Sequence, residues 1–233
     1  MIAPAARLIE ACALLGITLD AAAASRMVAF LDLMAIEPQN LTAVDLLSDG
    51  VERHLVDSLS ALALPVVRGA ATIVDLGSGG GFPGMPLAIA CPECAVTLVE
   101  SEVSKADWLA RASSDLPNVR IVGERTEHLA TYERERWSVA TARALAPLPV
   151  LVELAAPLVA IGGTLVAWRG PRDLADEQRA AVAGSRLGWH PGHVTAVGSP
   201  TDPVRHLHEF HKVAATPDRY PRRPGRASKR PLA

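Results

Sequence analysis

The sequence predicts an α/β fold with a mostly parallel, doubly wound sheet, an N-terminal helical extension and a late antiparallel hairpin. Short runs of β-branched residues alternate with helical stretches after residue 71, and strands that alternate with helices are typical of parallel sheets. A glycine-rich turn follows the first of these runs. The length of 233 residues suits one substantial α/β domain with a helical extension but is short for two independent ones.

The elements follow in order from the spacing of apolar residues. The N-terminal part is expected to form several helices, because Leu8, Cys12 and Leu15 recur at helical spacing. Beyond it, β-branched runs predict strands over 72–74, 96–99, 119–122, 138–141 and 163–167. The intervening helices are predicted over 86–90, 105–113, around Glu127, over 148–159 and over 172–187.

The last part of the chain predicts two strands without a helix between them. These strands are expected over 193–197 and 206–214, joined by the loop 198–203. A loop connection indicates an antiparallel hairpin at the end of the sheet. The predicted organisation is therefore a helical extension over 1–64, a core over 65–218 and a basic tail over 219–233.

Composition indicates a soluble globular protein, with 49% hydrophobic and 21% charged residues. The longest apolar run, 151–168, is interrupted by Glu153, Pro157 and two glycines, so no membrane span is expected. The N-terminus lacks a basic leader followed by a clean apolar stretch, and we expect a cytoplasmic protein with no membrane partner.

No metal site is expected from the cysteines and histidines. The pair Cys91 and Cys94 lacks the second pair of ligands that a zinc site needs, and three cysteines make no disulfide framework in a reducing cell. His206, His208 and His211 lie along a predicted strand, where such spacing more often gives ordinary surface histidines than a metal site.

The charge distribution singles out the tail. Six of the 23 Lys and Arg residues lie in 219–233, which contains no acidic residue. Such a segment offers contacts to nucleic acid phosphates, with Arg222, Arg223 and Lys229 as candidates, and cofactor binding should not depend on it. From charge alone, a solvated terminus that only aids solubility is an equal alternative.

The most informative stretch is the loop Asp75-Leu-Gly-Ser-Gly-Gly-Gly-Phe-Pro-Gly84. It lies where the first strand delivers its carboxyl end to a helix, which is where open α/β sheets bind ligands. Its glycines let the backbone turn tightly and approach a ligand without a Cβ atom. Gly79, Gly81 and Gly84 also fit the spacing of a dinucleotide site, so an NAD-dependent oxidoreductase is one interpretation.

Asp75 and the late hairpin favour a different cofactor, whereas Glu100 does not discriminate between the two. Asp75 suits the cationic amino-acid end and sulfonium of S-adenosylmethionine, and it would repel a pyrophosphate. Glu100, which ends the second predicted strand, would bind ribose hydroxyls of either cofactor. Either carboxylate could instead only cap the next helix. A non-catalytic RNA-binding module, a third interpretation, rests on the basic tail alone and leaves the glycine loop unexplained.

Several strings from residue 40 to the C-terminus carry a family resemblance. They are Asn40-Leu41-Thr42, Arg53-His54-Leu55-Val56-Asp57-Ser58-Leu59, the glycine loop, Val99-Glu100-Ser101 with Lys105, Thr141-Ala142-Arg143-Ala144-Leu145-Ala146, Gly162-Gly163-Thr164-Leu165, Trp168-Arg169-Gly170 and Tyr220-Pro-Arg-Arg-Pro-Gly225. In these strings the chain resembles the ribosomal RNA small-subunit methyltransferase G family, also called RsmG or GidB.

The resemblance implies a Rossmann-like class I methyltransferase fold. It implies transfer of a methyl group from S-adenosylmethionine to N7 of a guanine in the decoding-region loop of bacterial 16S ribosomal RNA. The partner would be that RNA, within a small ribosomal subunit or its precursor, and the enzyme is expected to be a monomer. Cofactor contacts implied by the resemblance are Gly77, Phe82, Glu100, Ser101, Thr126, Glu127 and Arg143, which join Asp75 and Gly79 from the loop itself.

The predicted catalytic residue is Arg143. Guanine N7 carries a lone pair, so the transfer needs alignment rather than a base. Arg143 could bind the methionine carboxylate or guanine O6, or only form an ion pair with Glu127. Arg53 and Arg169 are predicted to contact RNA, although Arg169 stands where many family members have lysine. The polar groups around Arg53, one helical turn apart, could equally cap the cofactor pocket.

Overall fold

A computed structural model describes residues 2–198 and 204–233. The strands are β1 (Thr72–Leu76), β2 (Ala95–Val99), β3 (Val119–Val122), β4 (Trp137–Arg143), β5 (Val159–Arg169), β6 (Trp189–Ala196) and β7 (His206–Lys212). The helices that begin before the sheet are α1 (Pro4–Leu14), α2 (Ala21–Ala35), α3 (Leu46–Gly50), α4 (Asp57–Leu59) and α5 (Pro65–Arg68). The later helices are α6 (Gly84–Ala90), α7 (Val103–Ala112), α8 (Thr126–Tyr132), α9 (Leu148–Ala155), α10 (Leu174–Ser185) and α11 (Arg226–Lys229).

In the described residues the strands form one sheet of order β3-β2-β1-β4-β5-β7-β6. The pairs β1–β2, β2–β3, β1–β4 and β4–β5 are parallel. Strand β7 runs antiparallel to both β5 and β6, which confirms the predicted hairpin at the end of the sheet. Strand β6 begins earlier than predicted and β7 ends earlier. Residues 199–203, most of the predicted connecting loop, lie outside the described residues.

The N-terminal helices share a hydrophobic core with one face of the sheet. Leu8 of α1 and Met27 of α2 belong to the same buried cluster as Ile73 of β1 and Leu98 of β2. Asp20 caps α2 by accepting a hydrogen bond from the Ala23 N–H at 2.7 Å. A π-helical segment, Val51–Val56, joins α3 to α4 and turns polar groups toward the sheet. Nothing in the apolar spacing of this region predicts that segment.

The opposite face of the sheet packs against α8, α9 and α10. Helix α9 ends at Ala155, although the apolar pattern predicted a helix through residue 159. Pro157 has no N–H with which to extend the helix, and β5 already begins at Val159. Among the described helices, none is long and apolar enough to cross a bilayer.

The C-terminal segment, defined here as residues 219–233, is packed against the core. Tyr220 and Ala227 are only 4% and 3% exposed. Arg222 forms a two-point ion pair with Glu153 of α9, a carboxylate that is 2% exposed. A solvated terminus therefore does not describe this segment.

Candidate functional site

A cleft opens where the carboxyl ends of β1, β2 and β4 meet at one edge of the sheet. It contains a cavity of about 140 Å³. The lining includes Gly77, Val99, Ser101, Thr126, Glu127, Leu145, Gly225 and Ser228. Ligand sites of open α/β sheets lie at this edge. Four of the residues predicted to contact the cofactor, Gly77, Ser101, Thr126 and Glu127, line this one cavity.

Asp75 lies beneath the glycine loop. Its side chain is fully buried, and its two oxygens accept hydrogen bonds from Thr141 Oγ1 at 2.8 Å and from the Gly84 N–H at 3.2 Å. Burial raises the pKa of this carboxyl to about 6, against the opposing effect of the Thr141 hydrogen bond. The expected contact with a cationic ligand is therefore corrected: Asp75 fixes the loop to β4 and to the start of α6.

Glu100 lies beside the loop, where it was predicted. Its carboxylate accepts hydrogen bonds from the Gly79 N–H at 2.9 Å and from the Glu102 N–H at 2.8 Å. Gly77 has a φ of +66°, and a Cβ atom on it would lie 2.5 Å from Leu145 Cδ1. The left-handed backbone favours glycine at this position, and a Cβ atom would also have to displace the end of the Leu145 side chain.

Thr126 and Glu127 form the first turn of α8 and line the cavity. Glu127 accepts a hydrogen bond from the Gly225 N–H at 2.8 Å. Arg143 makes its ion pair elsewhere, so the alternative of an Arg143–Glu127 pair is wrong.

Arg143, at the end of β4, bonds to the π-helical segment and its neighbour. Its Nη1 donates to Asp57 Oδ2 at 2.8 Å and to the Arg53 carbonyl at 3.2 Å. Its Nη2 lies 3.0 Å from His54 Nδ1. The guanidinium also lies over the ring of Phe82, 5.1 Å from its centroid. The motif around Arg53 and the one around Arg143 therefore form one cluster, against the cofactor loop.

His54 is neutral in this cluster, with a defined tautomer. An arginine only donates hydrogen bonds, so His54 Nδ1 accepts, and Nε2–H donates to Thr42 Oγ1 at 2.7 Å. Burial and the charges of Arg143 and Arg53 lower the pKa of His54 to about 3. The ring stacks on Phe82 with a centroid distance of 4.2 Å. Phe82 therefore contacts both His54 and Arg143, and its side chain is only 5% exposed.

Sequence reasoning missed the role of Asp57 and Arg205. The buried Asp57 carboxylate accepts from Arg143 and also from Arg205, whose Nε lies 2.6 Å from Oδ1. The Asp57 carbonyl accepts from the Trp168 indole N–H at 2.8 Å. Asp57 thus joins three distant parts of the chain. Asp57 belongs to one of the sequence strings that carry the family resemblance, but no local sequence pattern links it to Arg205.

The arginines predicted to contact RNA divide into two groups. Arg53, Arg223 and Lys229 are exposed. Arg169 instead donates to the Ala146 carbonyl at 3.1 Å and pairs with Asp176 at 3.3 Å, and Arg222 is held by Glu153. These two side chains stabilise the fold around the site, so their assignment to RNA is corrected.

The three histidines that were predicted to lie on the surface are not all exposed. His206 and His211 are half-buried, whereas His208 is 3% exposed. In the part of the chain that the structure describes, no group of three or more His, Cys, Asp or Glu side chains is arranged to hold a metal ion.

Sequence comparisons match most of the chain. The model of the family described as rRNA small subunit methyltransferase G matches residues 23–204. The ribosomal RNA small subunit methyltransferase G of Chloroflexus aggregans is 43% identical over 198 residues, which are 83% of this chain and 82% of that protein. The protein of the same name from Caldanaerobacter subterraneus subsp. tengcongensis is 34% identical over 232 residues, 97% of each chain.

Solved structures share the fold. Aeropyrum pernix fibrillarin, solved with natively bound S-adenosyl-L-methionine, has a TM-score of 0.54 and 16% identity, and the match covers 66% of this chain and 72% of that chain. A variant of the 16S rRNA (adenine(1408)-N(1))-methyltransferase from Catenulisporales acidiphilia has a TM-score of 0.54 and 17% identity, over 65% and 90% of the two chains. Together with the strand order, these matches confirm the predicted class I methyltransferase fold.

Proposed function

Because the chain belongs to the rRNA small subunit methyltransferase G family, we propose that it methylates N7 of a guanine in the decoding-region loop of 16S ribosomal RNA. The methyl donor is S-adenosylmethionine. The substrate is the RNA within a small ribosomal subunit or its precursor, and the enzyme acts as a monomer in the cytoplasm.

The observation that carries the cofactor assignment is the left-handed turn at Gly77 and Gly79, which follows the carboxyl end of β1 beside the cavity. Gly77 and Gly79 provide close backbone approach, and the Glu100 carboxylate at the end of β2 suits ribose hydroxyls. Ser101, Thr126 and Glu127 line the remainder of the cavity. The residues present therefore fit S-adenosylmethionine. Since the cavity of about 140 Å³ is smaller than usual small-molecule sites, the exposed Leu145 side chain must turn away from Gly77 on binding.

The bound cofactor supplies an electrophilic methyl group on a sulfonium. The protein's own residues need only align guanine N7 with that methyl group and exclude water, because N7 already carries a lone pair. Asp57 and His54 fix the Arg143 guanidinium at the end of β4. From there, Arg143 bonds the methionine carboxylate or guanine O6. Asp75 acts through the loop, as a positioning residue.

The RNA contacts are assigned to the exposed cations Arg53, Arg223 and Lys229. Phosphate contacts of this kind position the RNA without reading its sequence. Arg169 and Arg222 support the site indirectly, through the Ala146 carbonyl and through Glu153.

The activity is tested in a strain that lacks this protein. Its 16S RNA should lose one 7-methylguanosine of the decoding-region loop, measured by mass spectrometry of digested RNA. The wild-type chain should restore it. The variant Arg143→Ala should be about tenfold to a hundredfold less active, since charged hydrogen bonds contribute about 1.5–3 kcal/mol, and Arg143→Lys should rescue only in part.

Two results would contradict these assignments. An unchanged 7-methylguanosine content in the deletion strain would exclude the proposed product. Full restoration by Arg143→Ala would remove Arg143 from the reaction. Calorimetry with the purified protein separates the cofactor question: tighter binding of NAD than of S-adenosylmethionine would reverse the assignment of the glycine loop.

A further inference from the structure

The C-terminal segment borders the cavity at the sheet edge. Gly225 and Ser228 line it together with Gly77. The Gly225 N–H donates to Glu127 at 2.8 Å, which joins the segment to the first turn of α8. The two residues are 98 positions apart in the sequence, so this contact joins distant parts of the chain.

The segment is held firmly enough to act as a wall. Arg222 pairs with the buried Glu153, and Arg134 donates to the carbonyls of Tyr220 and Thr216. Near the end of the chain, Arg186 donates to the Leu232 carbonyl at 2.7 Å. These contacts fix the segment on both sides of the part that faces the cavity.

Gly225 explains how the chain reaches the cavity. Its φ of +75° is a left-handed conformation, which favours glycine, and helix α11 begins at the next residue. The turn directs the Gly225 N–H at Glu127, and α11 then buries Ala227 while Ser228 borders the cavity.

We propose that the C-terminal segment is part of the S-adenosylmethionine pocket, in which Gly225 and Ser228 form one wall and Gly225 holds Glu127 in place. This inference rests on the proposed function, because it takes the cavity as the cofactor's. It replaces the expectation that cofactor binding is independent of the basic tail. The segment therefore contributes to cofactor affinity and carries the exposed cations Arg223 and Lys229.

The first test places a bulky side chain in the wall. Ser228→Trp should weaken binding of S-adenosylhomocysteine at least tenfold in calorimetry, because the indole would occupy the cavity. Arg226→Trp is the matched control: Arg226 is an exposed residue of the same short helix that does not border the cavity, and its affinity should stay within twofold of wild type. Thermal unfolding checks that both variants fold, and Ser228→Val provides a milder filling if the larger one does not.

The second test uses the unmodified chain. Trypsin cleaves after exposed Arg226 and Lys229 only when the segment opens locally. If the segment is a wall, S-adenosylhomocysteine at a hundred times its dissociation constant should slow these two cleavages up to about a hundredfold.

The outcomes separate this inference from the proposed function. If the wild-type chain binds neither S-adenosylmethionine nor S-adenosylhomocysteine, the proposed function fails. If the wild type binds but the Ser228 variants bind equally well, or if cleavage is indifferent to the ligand, only the wall is refuted. Weakened binding by Ser228→Trp together with ligand-dependent protection supports it.

Discussion

At the scale of single residues, Gly77 is the position in the cofactor loop that most clearly favours one amino acid. An alanine at position 77 would have a left-handed backbone, and its Cβ atom would clash with Leu145. Gly162 also has a left-handed backbone, with a φ of +88°, but no atom lies within 4 Å of a Cβ atom added there. Gly77→Ala and Gly162→Ala should each cost about 1 kcal/mol of stability from backbone strain. Only Gly77→Ala should also weaken S-adenosylmethionine binding, measured by calorimetry. Equal affinities of the two variants would show that the space above Gly77 is not used by the cofactor.

His54 gives a prediction about pH. Its pKa is about 3 in the folded protein, against an ordinary value of about 6.5 in the unfolded chain. Between these values the unfolded chain binds the extra proton, so this residue makes stability fall as the pH is lowered from about 6.5. Replacement by a side chain that does not titrate, His54→Gln, should remove this dependence.

The measurement compares the urea unfolding of wild type and His54→Gln between pH 7 and pH 4. The difference in their unfolding free energies should shrink by up to about 1.4 kcal/mol per pH unit below pH 6.5. Asp75 has the opposite effect, because its pKa is raised to about 6, but it is present in both proteins and cancels in the difference. A constant difference would mean that His54 is not neutral in the fold.

At the scale of elements, the C-terminal segment contains neighbouring arginines with different roles. Arg222 neutralises the buried Glu153, while Arg223 is exposed. Arg222→Gln should lower stability by about 3–5 kcal/mol, because it leaves a buried carboxylate unpaired. Arg223→Gln should change stability by less than about 0.5 kcal/mol and lower the slope of log affinity against log salt for RNA by about 0.7–0.9.

Urea unfolding and RNA binding over a series of NaCl concentrations measure both effects. The two substitutions make the same chemical change at adjacent positions, so each serves as the other's control. If Arg222→Gln lowered the slope of log affinity against log salt by the same amount, Arg222 would also contact RNA.

The elements predicted well are those marked by local patterns. The β-branched runs placed β2 and β3 almost to the residue, because side-chain preference acts over a few positions. The start of α6 was predicted two residues too late, since the helix begins at Gly84. Helix α9 was predicted too long because Val159 continues the apolar spacing into what is the next strand. Periodicity alone does not distinguish the two for a short apolar run.

At the scale of the whole molecule, the errors concern long-range contacts. Asp75 was assigned to a ligand from its charge, but its complete burial depends on β4, β1 and α6 packing together. Asp57 and Arg205 meet only because the π-helical segment lies against the end of the sheet. The docking of the basic segment onto Glu153 likewise follows from tertiary packing rather than from composition.

The shared core predicts cooperative unfolding. Since helices α1 and α2 belong to one buried cluster with β1 and β2, the helical extension should not melt before the sheet. Near-ultraviolet and far-ultraviolet circular dichroism should therefore report one transition with the same midpoint. A saturating cofactor at a hundred times its dissociation constant should stabilise that single transition by about 2.7 kcal/mol. Two separate midpoints would make the extension an independent unit.

The position of β7 has a consequence for synthesis. It is the last strand to be made, yet it lies between β5 and β6 and supplies hydrogen bonds to both. While the ribosome is still extending the chain, β5 and β6 have no direct pairing with each other and each leaves an open edge. Open edges invite pairing with other chains. The sheet is therefore completed when β7 inserts between β5 and β6, and not by addition of a strand at its edge. Truncated chains that stop before residue 206 should aggregate instead of accumulating as a smaller stable protein.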